Sequence, residues 1–287
     1  MRILLTGDNG FIGGELKAKM IADGNDVIGL DKWIFSDNFR KRIPFDTFGQ
    51  IDAVIHVGAI SNTLTTDIDT TLRLNTYFTA DLAAYCEKHG IPLVYSSSAA
   101  VYGNSYPDIQ PLNLYAWSKY LGERYVTAAG GVSLRYFNVY GATEYKKLFM
   151  ASVATQAFLH YNKTGLPFNL FPGKPRRDFI HVSDVVNANA IALRMLFDDK
   201  MDDEVRSWNL PREQLVFDVG TAEAMTFEQV LDIMQIPYIH TDKIPTSYQF
   251  QTKARKDKWL PGWKPALSNQ EQFEIHRQDL IKLTSKK

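Results

Sequence analysis

Tyr115 and Lys119 stand four residues apart in the stretch Tyr115-Ala116-Trp117-Ser118-Lys119, so on a helix they share one face about one turn apart. A lysine ammonium beside a phenol favours the phenolate, and desolvation of the lysine adds to that tuning. A phenol so tuned can move a proton to and from a substrate hydroxyl. Ser98 closes the run Ser96-Ser97-Ser98, seventeen residues before Tyr115, and can hold the same substrate oxygen. Alone, the pair is a weak signal, more often a solvated helix face than a catalytic one.

A second constellation agrees with it. Thr6-Gly7-Asp8-Asn9-Gly10-Phe11-Ile12-Gly13 follows the strand pattern Arg2-Ile3-Leu4-Leu5 and opens an apolar-periodic helix through Leu16, Met20 and Ile21, stopped by Gly24. Gly7, Gly10 and Gly13 permit positive φ and close approach of backbone to a pyrophosphate, and the helix N-terminus faces the anion. A carboxylate in this turn would repel phosphate, so Asp8 is expected to point to solvent. Asp31 ends the next strand, Asp26–Asp31, at about the distance at which an acid binds adenosine ribose hydroxyls; its other role is a strand-end cap. Lys32 and Arg40-Lys41-Arg42 follow, either a solvated loop or a neutraliser of a 2′-phosphate. The cofactor expected is therefore NAD or NADP. Gly58 and Ala59 close the third strand pattern, Ala53–Ala59, and are small where backbone passes close to a cofactor.

The elements that must position these groups alternate. A long polar helix is expected from Asp67 to His89, with Asn75 inside it. A strand follows over Leu93–Ser98 and places its serines at its C-terminal end, where ligands sit in open parallel sheets. The helix bearing Tyr115 and Lys119 runs to about Ala129, and Val132–Gly141 reads as a further strand running into a loop. Such alternation means a doubly wound α/β sheet. Beyond Gly141 the pattern loosens: a helix over Leu148–Tyr161, a short strand and turn at Pro167–Gly173, and a basic cluster of Lys174, Arg176 and Arg177. That cluster is a solvated loop or a diphosphate clamp, since arginine makes forked contacts to phosphate. A helix from Val182 to Phe197, a charged surface loop over 198–214, a strand at Val216–Gly220, a helix capped by Thr226 and a terminal helix over Phe273–Leu283 complete the reading.

Composition excludes other classes. The 287 residues carry 32 basic and 32 acidic side chains and 45% hydrophobic residues, which argues against a general nucleic-acid or acidic-membrane binder. The one cysteine, Cys86, excludes an intramolecular disulfide and a cysteine-based metal site, and is expected in the core. No apolar run reaches membrane-spanning length and the N-terminus reads as a strand, so no membrane association is expected and the cytoplasm is the default location.

Gly7–Gly13, Ser96–Gly103 (SSSAAVYG), Tyr115–Lys119 and Arg177-Asp178-Phe179 together resemble the extended short-chain dehydrogenase/reductases that act on nucleotide sugars. The resemblance covers nearly the whole chain. Ile91–Gly103, Pro111–Lys119, Arg135–Gly141 and Met150-Ala151-Ser152-Val153-Ala154 are similar, within that family, to the ADP-glycero-manno-heptose 6-epimerases. The resemblance implies a Rossmann-type sheet with a smaller C-terminal substrate-binding domain. Residues 1–141 would hold NAD(P), with 178–220 returning to that domain, and 142–177 and 221–287 would mainly bind substrate. It implies that Ser98, Tyr115 and Lys119 are catalytic and that Lys147, or its neighbour Lys146, is a second acid/base. Asn138, Arg177 and Tyr248 match substrate-binding positions; Phe11, Ile12, Asp31, Asn75 and Val139 match cofactor-binding ones.

The implied enzyme is a nucleotide-sugar epimerase working by transient oxidation and re-reduction, with NADP the favoured nucleotide, a nucleotide-diphosphate sugar as substrate and a homo-oligomeric assembly. Its rivals are a 4-epimerase or reductase of the same superfamily, and a non-catalytic NAD(P)-binding scaffold or sensor, against which the intact Ser98, Tyr115 and Lys119 argue. Dehydratases of this superfamily usually carry an Asp-Glu pair where this chain has Ala99-Ala100. Other departures are Asp8 in place of a glycine, a short segment between the second and third strands, and Phe149 and Gln156 where the heptose subgroup uses a serine and a histidine. The last two bear on the identity of the sugar more than on the chemistry.

Overall fold

The computed structural model describes residues 1–31, 45–104, 106–197, 215–242 and 249–285. Strand β1 (Arg2–Thr6) stands second in the first sheet. It pairs in parallel with β2 (Asp26–Leu30) on one side and β3 (Ala53–His56) on the other. β4 (Leu93–Ser98), β5 (Val132–Tyr136) and β9 (Val216–Val219) extend the sheet in the order β2-β1-β3-β4-β5-β9, all parallel. The chain moves outward from β1 to β2 and then returns to lay β3 on the opposite side of β1. Open sheets bind ligands at such a reversal, outside the carboxyl ends of the strands.

Both faces of the sheet are covered, which is why its strands read as near-continuous apolar runs. Ile3 and Leu5 meet Leu16 and Met20 of helix α1 (Phe11–Ala22) and Val185 and Val186 of α6 (Val182–Phe197). Leu4 and Val54 face the other way, toward Leu74, Phe78, Leu82 and Cys86. Cys86 is buried there, and burial pushes its thiol up to about 12, the behaviour of an inert core residue.

Several elements differ from the sequence reading. The helix expected over Asp67–His89 comes in three pieces: α2 (Ile68–Leu72), a π turn over Arg73–Tyr77, and α3 (Phe78–His89). Asp67 caps the start, accepting from the Thr70 N–H at 3.0 Å. The strand expected over Val132–Gly141 breaks at the buried Phe137 into β5 and β6 (Asn138–Tyr140). β5 stays in the first sheet, whereas β6 pairs with β8 (Arg176–His181), which also pairs with β10 (Ala224–Thr226).

This second sheet packs with α5 (Val153–Thr164), α7 (Phe227–Ile233) and α8 (Asn269–Thr284) around Tyr140, Phe179, Phe227 and Phe273. Tyr140 and Phe273 stack with ring centroids 4.3 Å apart. β7 (Phe168–Leu170) and β11 (Tyr238–His240) form a further parallel pair. Capping boxes at Thr226/Gln229 and Ser268/Glu271 start α7 and α8. α5 starts later than expected because Ser152 caps it, and residues 142–150 before it form 3₁₀ turns. Among the described residues, no helix is long and apolar enough to cross a membrane and no acid, histidine or cysteine cluster could hold a metal ion. The loop expected over 198–214 lies outside the described residues.

Candidate active site

A cavity of ≈ 290 Å³ opens at the reversal point of the first sheet. Its floor is the glycine turn, with Gly7, Gly10 and Gly13 followed or flanked by Phe11 and Ile12. Gly7 has φ +70°, and a Cβ on it would lie 2.7 Å from the Gly58 backbone. A Cβ on Gly13 would overlap the Gly7 carbonyl. The α1 N-cap, Gly10, makes no side-chain cap and no acid stands in the first turn, so the first N–H groups face the cavity unneutralised. The space a side chain would fill, beside a helix N-terminus, fits a pyrophosphate. Asp31, Gly58 and Ala59 also line the cavity, whereas Lys32 and Arg40–Arg42 lie outside the described residues.

Asp8 does not point to solvent. It is only 5% exposed, lies over the bare Cα of Gly29 and accepts from Lys17 Nζ at 2.7 Å. The ion pair and the missing side chain on β2 together let a carboxylate fit where a phosphate-binding turn would otherwise reject it.

Side chains beneath the cavity hold its walls. Thr79 Oγ1 donates to the Asn75 carbonyl at 2.8 Å, so it accepts from His56 Nε2 at 2.8 Å. His56 Nδ1 is then the acceptor for the Thr6 hydroxyl at 2.6 Å, and Thr6 Oγ1 in turn accepts from the N–H groups of Val57 (3.1 Å) and Gly58 (3.0 Å). Burial, helped by the Lys119 charge, lowers His56 to about 3, so it stays neutral in this chain of bonds. Asn75 sits in the π turn rather than in the cavity. It accepts from Ile60 N at 2.7 Å and donates to Ser118 Oγ at 2.9 Å, tying the β3 loop to the next functional helix.

That helix is α4 (Leu114–Ala128), capped by Asn113, which accepts from Ala116 N at 2.8 Å. Tyr115 and Lys119 both line the cavity from it. Ser98 is near enough to Tyr115 to favour its phenolate, but it does not line the cavity, and its hydroxyl accepts from Ala100 N at 3.1 Å. Lys119 Nζ lies 4.4 Å from the centroid of the Tyr95 ring. Burial lowers Lys119 to about 7, opposed by Glu123. The lowered phenol expected of Tyr115 is not found: burial pushes it up, against the nearby Ser98 hydroxyl. The physical reason is that a buried phenolate loses its hydration.

Lys147 reaches the same cavity from the 3₁₀ stretch beyond β6, with Nζ 5.6 Å from the centroid of the Phe11 ring. Burial lowers its pKa, opposed by Glu144. Glu144 is itself fully buried and accepts from Ser152 N (2.9 Å), Ser152 Oγ (2.6 Å) and Thr155 Oγ1 (2.7 Å), which anchors the stretch carrying Lys147. Acid–base groups from both sheets thus meet over the glycine turn.

The model of the NAD dependent epimerase/dehydratase family matches residues 3–205. The chain belongs to that family. Among curated proteins it is similar to the ADP-L-glycero-D-manno-heptose-6-epimerase of Brachyspira hyodysenteriae, 30% identical over 302 aligned positions covering 88% of each chain. Among solved structures it resembles UDP-glucose 4-epimerase of Thermotoga maritima, with TM-score 0.80 and 22% identity over 99% of this chain and 100% of that one. It also resembles the ADP-L-glycero-D-manno-heptose-6-epimerase of Helicobacter pylori, with TM-score 0.77 and 23% identity over 99% of this chain and 96% of that one. At these identities the structural likeness speaks for the fold.

Not every residue singled out in this epimerase/dehydratase chain lies on the cavity. Val139 packs against the first core, and Asn138 Oδ1 accepts from Thr252 Oγ1 at 3.3 Å. Arg177 is no loop residue: it lies on β8, 6% exposed, and donates from Nη1 to the Arg176 carbonyl at 3.0 Å. Tyr248 lies outside the described residues. Sequence reasoning missed Asp178, which accepts from Thr221 N and Oγ1, Ala222 N and Ala254 N at 2.7–2.8 Å and so pins two loops to β8. Burial pushes its carboxyl up to about 6 against those donors. It missed Tyr136, which lines the cavity and bonds Ser96 Oγ at 2.8 Å. It also missed Glu123, although Tyr115, Lys119 and Glu123 at i, i+4 and i+8 were a readable signal.

Proposed function

We propose that the chain is a nucleotide-sugar epimerase that holds NAD or NADP in the glycine-turn cavity and inverts a sugar carbon by transient oxidation and re-reduction, with an ADP-activated heptose inverted at C6 as the first substrate to test. The observation that carries this is the meeting of Tyr115, Lys119 and Lys147 on one cavity whose floor fits a pyrophosphate. Gly7 and Gly10–Gly13 would take the pyrophosphate, Asp31 the adenosine ribose, and Gly58 and Ala59 the passing backbone contact, with Asn75 holding that loop and Val139 behind it. Bound there, the nicotinamide supplies the hydride acceptor and donor, which no side chain provides.

The chain's own residues supply the rest. Tyr115 takes the substrate hydroxyl proton, with Ser98 fixing the same oxygen and Lys119 stabilising the phenolate. Lys147 returns a proton from the other side, so that inversion needs no large rotation of the sugar. Asn138, Arg177 and Tyr248 would bind the nucleotide sugar in the region formed by 142–177 and 221–287, with 1–141 and 178–220 as the cofactor domain. NADP as the favoured nucleotide rests on Lys32 and Arg40–Arg42. A cytoplasmic homo-oligomer completes the reading.

The test incubates the purified protein with ADP-activated manno-heptose and, in parallel, with UDP-activated hexoses, and follows the sugar by NMR. Appearance of the C6 epimer supports the proposal. Epimerisation of a UDP-hexose at C4 instead transfers the assignment to a 4-epimerase, and no change in any sugar or in nicotinamide absorbance leaves the binding-scaffold reading. In Lys147→Ala, one half-reaction should survive, so that nicotinamide absorbance changes in a single turnover while no epimer accumulates. Normal epimerisation by that variant would remove the second base from the scheme.

A further inference from the structure

Glu123 lies four residues after Lys119 and eight after Tyr115, on the same side of α4, and is 1% exposed. Both of its oxygens are committed. Oε1 accepts from Ser97 Oγ at 2.5 Å and from Arg135 Nε at 2.8 Å, and Oε2 accepts from Arg135 Nη2 at 2.7 Å. Ser97 lines the catalytic cavity, whereas Glu123 and Arg135 line a second cavity of ≈ 520 Å³ on the far side. The pair is thus the wall between the two. Behind it the Arg135 guanidinium lies 4.6 Å from the centroid of the Tyr102 ring, and the Tyr102 and Tyr106 hydroxyls donate to Asp218 of β9 at 2.6 and 3.1 Å. A rigid polar chain therefore runs from the catalytic cavity to the edge strand of the sheet.

Such a pair is a poor way to gain stability. Desolvating two charges often costs more than their attraction returns, and well-packed apolar residues of the same volume usually serve as well. The position of the pair suggests what it does instead. Lys119 is faced by His56 on β3, by Tyr95 on β4, by Tyr115 and Glu123 on α4, by Arg135 on β5 behind Glu123, and by Lys147 and Asp31 along the cavity. His56 is neutral and Tyr95 presents its ring. Glu123 is the acid on the lysine's own helix, one turn away, and its charge favours the ammonium form.

We propose that Glu123 is a positioning residue: clamped by Ser97 and Arg135 one helical turn from the buried Lys119, its carboxylate keeps the Lys119 ammonium charged and thereby sets the pH range over which the Tyr115–Lys119 pair works. Removing that charge leaves burial unopposed, so Lys119 loses its proton at lower pH. Activity that depends on the ammonium should then fall away earlier as pH rises.

The test uses the full chain. In Glu123→Gln the falling limb of the kcat profile should move at least one pH unit downward, with kcat at pH 7.5 ten- to a hundredfold lower, KM within about threefold, and partial recovery of kcat on lowering the pH to 6. Glu123→Asp should restore the midpoint most of the way. If Glu123→Gln does not fold, the double variant Glu123→Gln/Arg135→Met removes the stranded guanidinium as well and should show the same downward shift. A midpoint unchanged from wild type in whichever variant folds, with only the active fraction or melting temperature reduced, overturns the proposal and leaves Glu123 a structural residue. The proposal rests on the epimerase reading for its assay but not for its logic. Should no sugar turn over, the pH dependence of NAD and NADP binding, followed by fluorescence, must show the same shift between wild type and variant, so the two failures are distinguishable.

Discussion

Lys119 gives up stability to be useful. Its folded pKa of about 7 lies below the ordinary lysine value of 10.5, and burial is the main cause. The folded chain therefore binds fewer protons than the unfolded chain between about 7 and 10.5. Through that window stability rises with pH, and below it the full cost of a buried ammonium is present. Lys119→Met should consequently be more stable than wild type at pH 6–7, by a few kcal/mol at about 1.4 kcal/mol per pKa unit, and catalytically silent; thermal denaturation at several pH values checks it. Tyr115→Phe removes only a hydroxyl. The fold should survive, with turnover down roughly 10²–10⁴-fold in a steady-state assay. That these two residues share one helix face on one cavity was legible from type and spacing, whereas the raised phenol of Tyr115 was not, since burial sets it. Asp8 was not, because its inward turn depends on Gly29 and Lys17, one on another strand and one on the next helix. The strand that carries Arg177 was hidden for a similar reason: three basic residues within 174–177 left a solvated loop and a diphosphate clamp both open, and the pairing that makes β8 is with residues 224–226.

At the scale of elements, the glycine turn was read correctly because strand, glycines and helix are contiguous. Gly13→Ala should weaken nicotinamide nucleotide binding at least tenfold, since the new methyl overlaps the Gly7 carbonyl and must push the turn apart. Isothermal titration measures this, and unchanged affinity would show that the turn does not approach the ligand. Asn75→Ala should cost about 2–4 kcal/mol in urea denaturation, because it strands Ile60 N and Ser118 Oγ at once. The π turn that presents Asn75 was invisible in a helix pattern that continues on both sides of it. The split of β5 from β6 was equally hidden, since Val132–Tyr140 reads as one continuous strand pattern and only its partners, β4 and β9 against β8, divide it.

The whole molecule answers pH through opposed groups. His56, held near 3, is neutral when folded but takes a proton at 6.5 when unfolded, so its share of stability is lost as pH falls from 6.5 toward 3. Asp178, raised to about 6, acts the other way: the folded chain keeps its proton between 3.8 and 6, and that contribution is lost as pH rises through 6. His56→Asn should therefore be less stable than wild type at pH 7.5, having lost its bonds to Thr6 and Thr79. Between pH 6 and 4 it should also lose stability more gradually, by up to one proton or about 1.4 kcal/mol per pH unit. Equal slopes for the two proteins would mean that His56 titrates normally. None of this balance was readable in advance, since it is set by burial.

The edge strand β9 is separated from its partner β5 by the 79 residues from 137 to 215, which include much of the second sheet. While the chain is being synthesised, β5 must wait for β9 with its outer row of N–H and C=O groups open. At about 5–20 residues per second the wait lasts roughly 4–16 seconds. During that interval the ribosome carries a nearly finished nucleotide-binding sheet with one raw edge, the kind of surface that recruits another strand. Production of this protein should accordingly be most vulnerable to crowding by neighbouring nascent chains on the same message, and a ribosome stalled just before residue 216 should be a favoured client for chaperones.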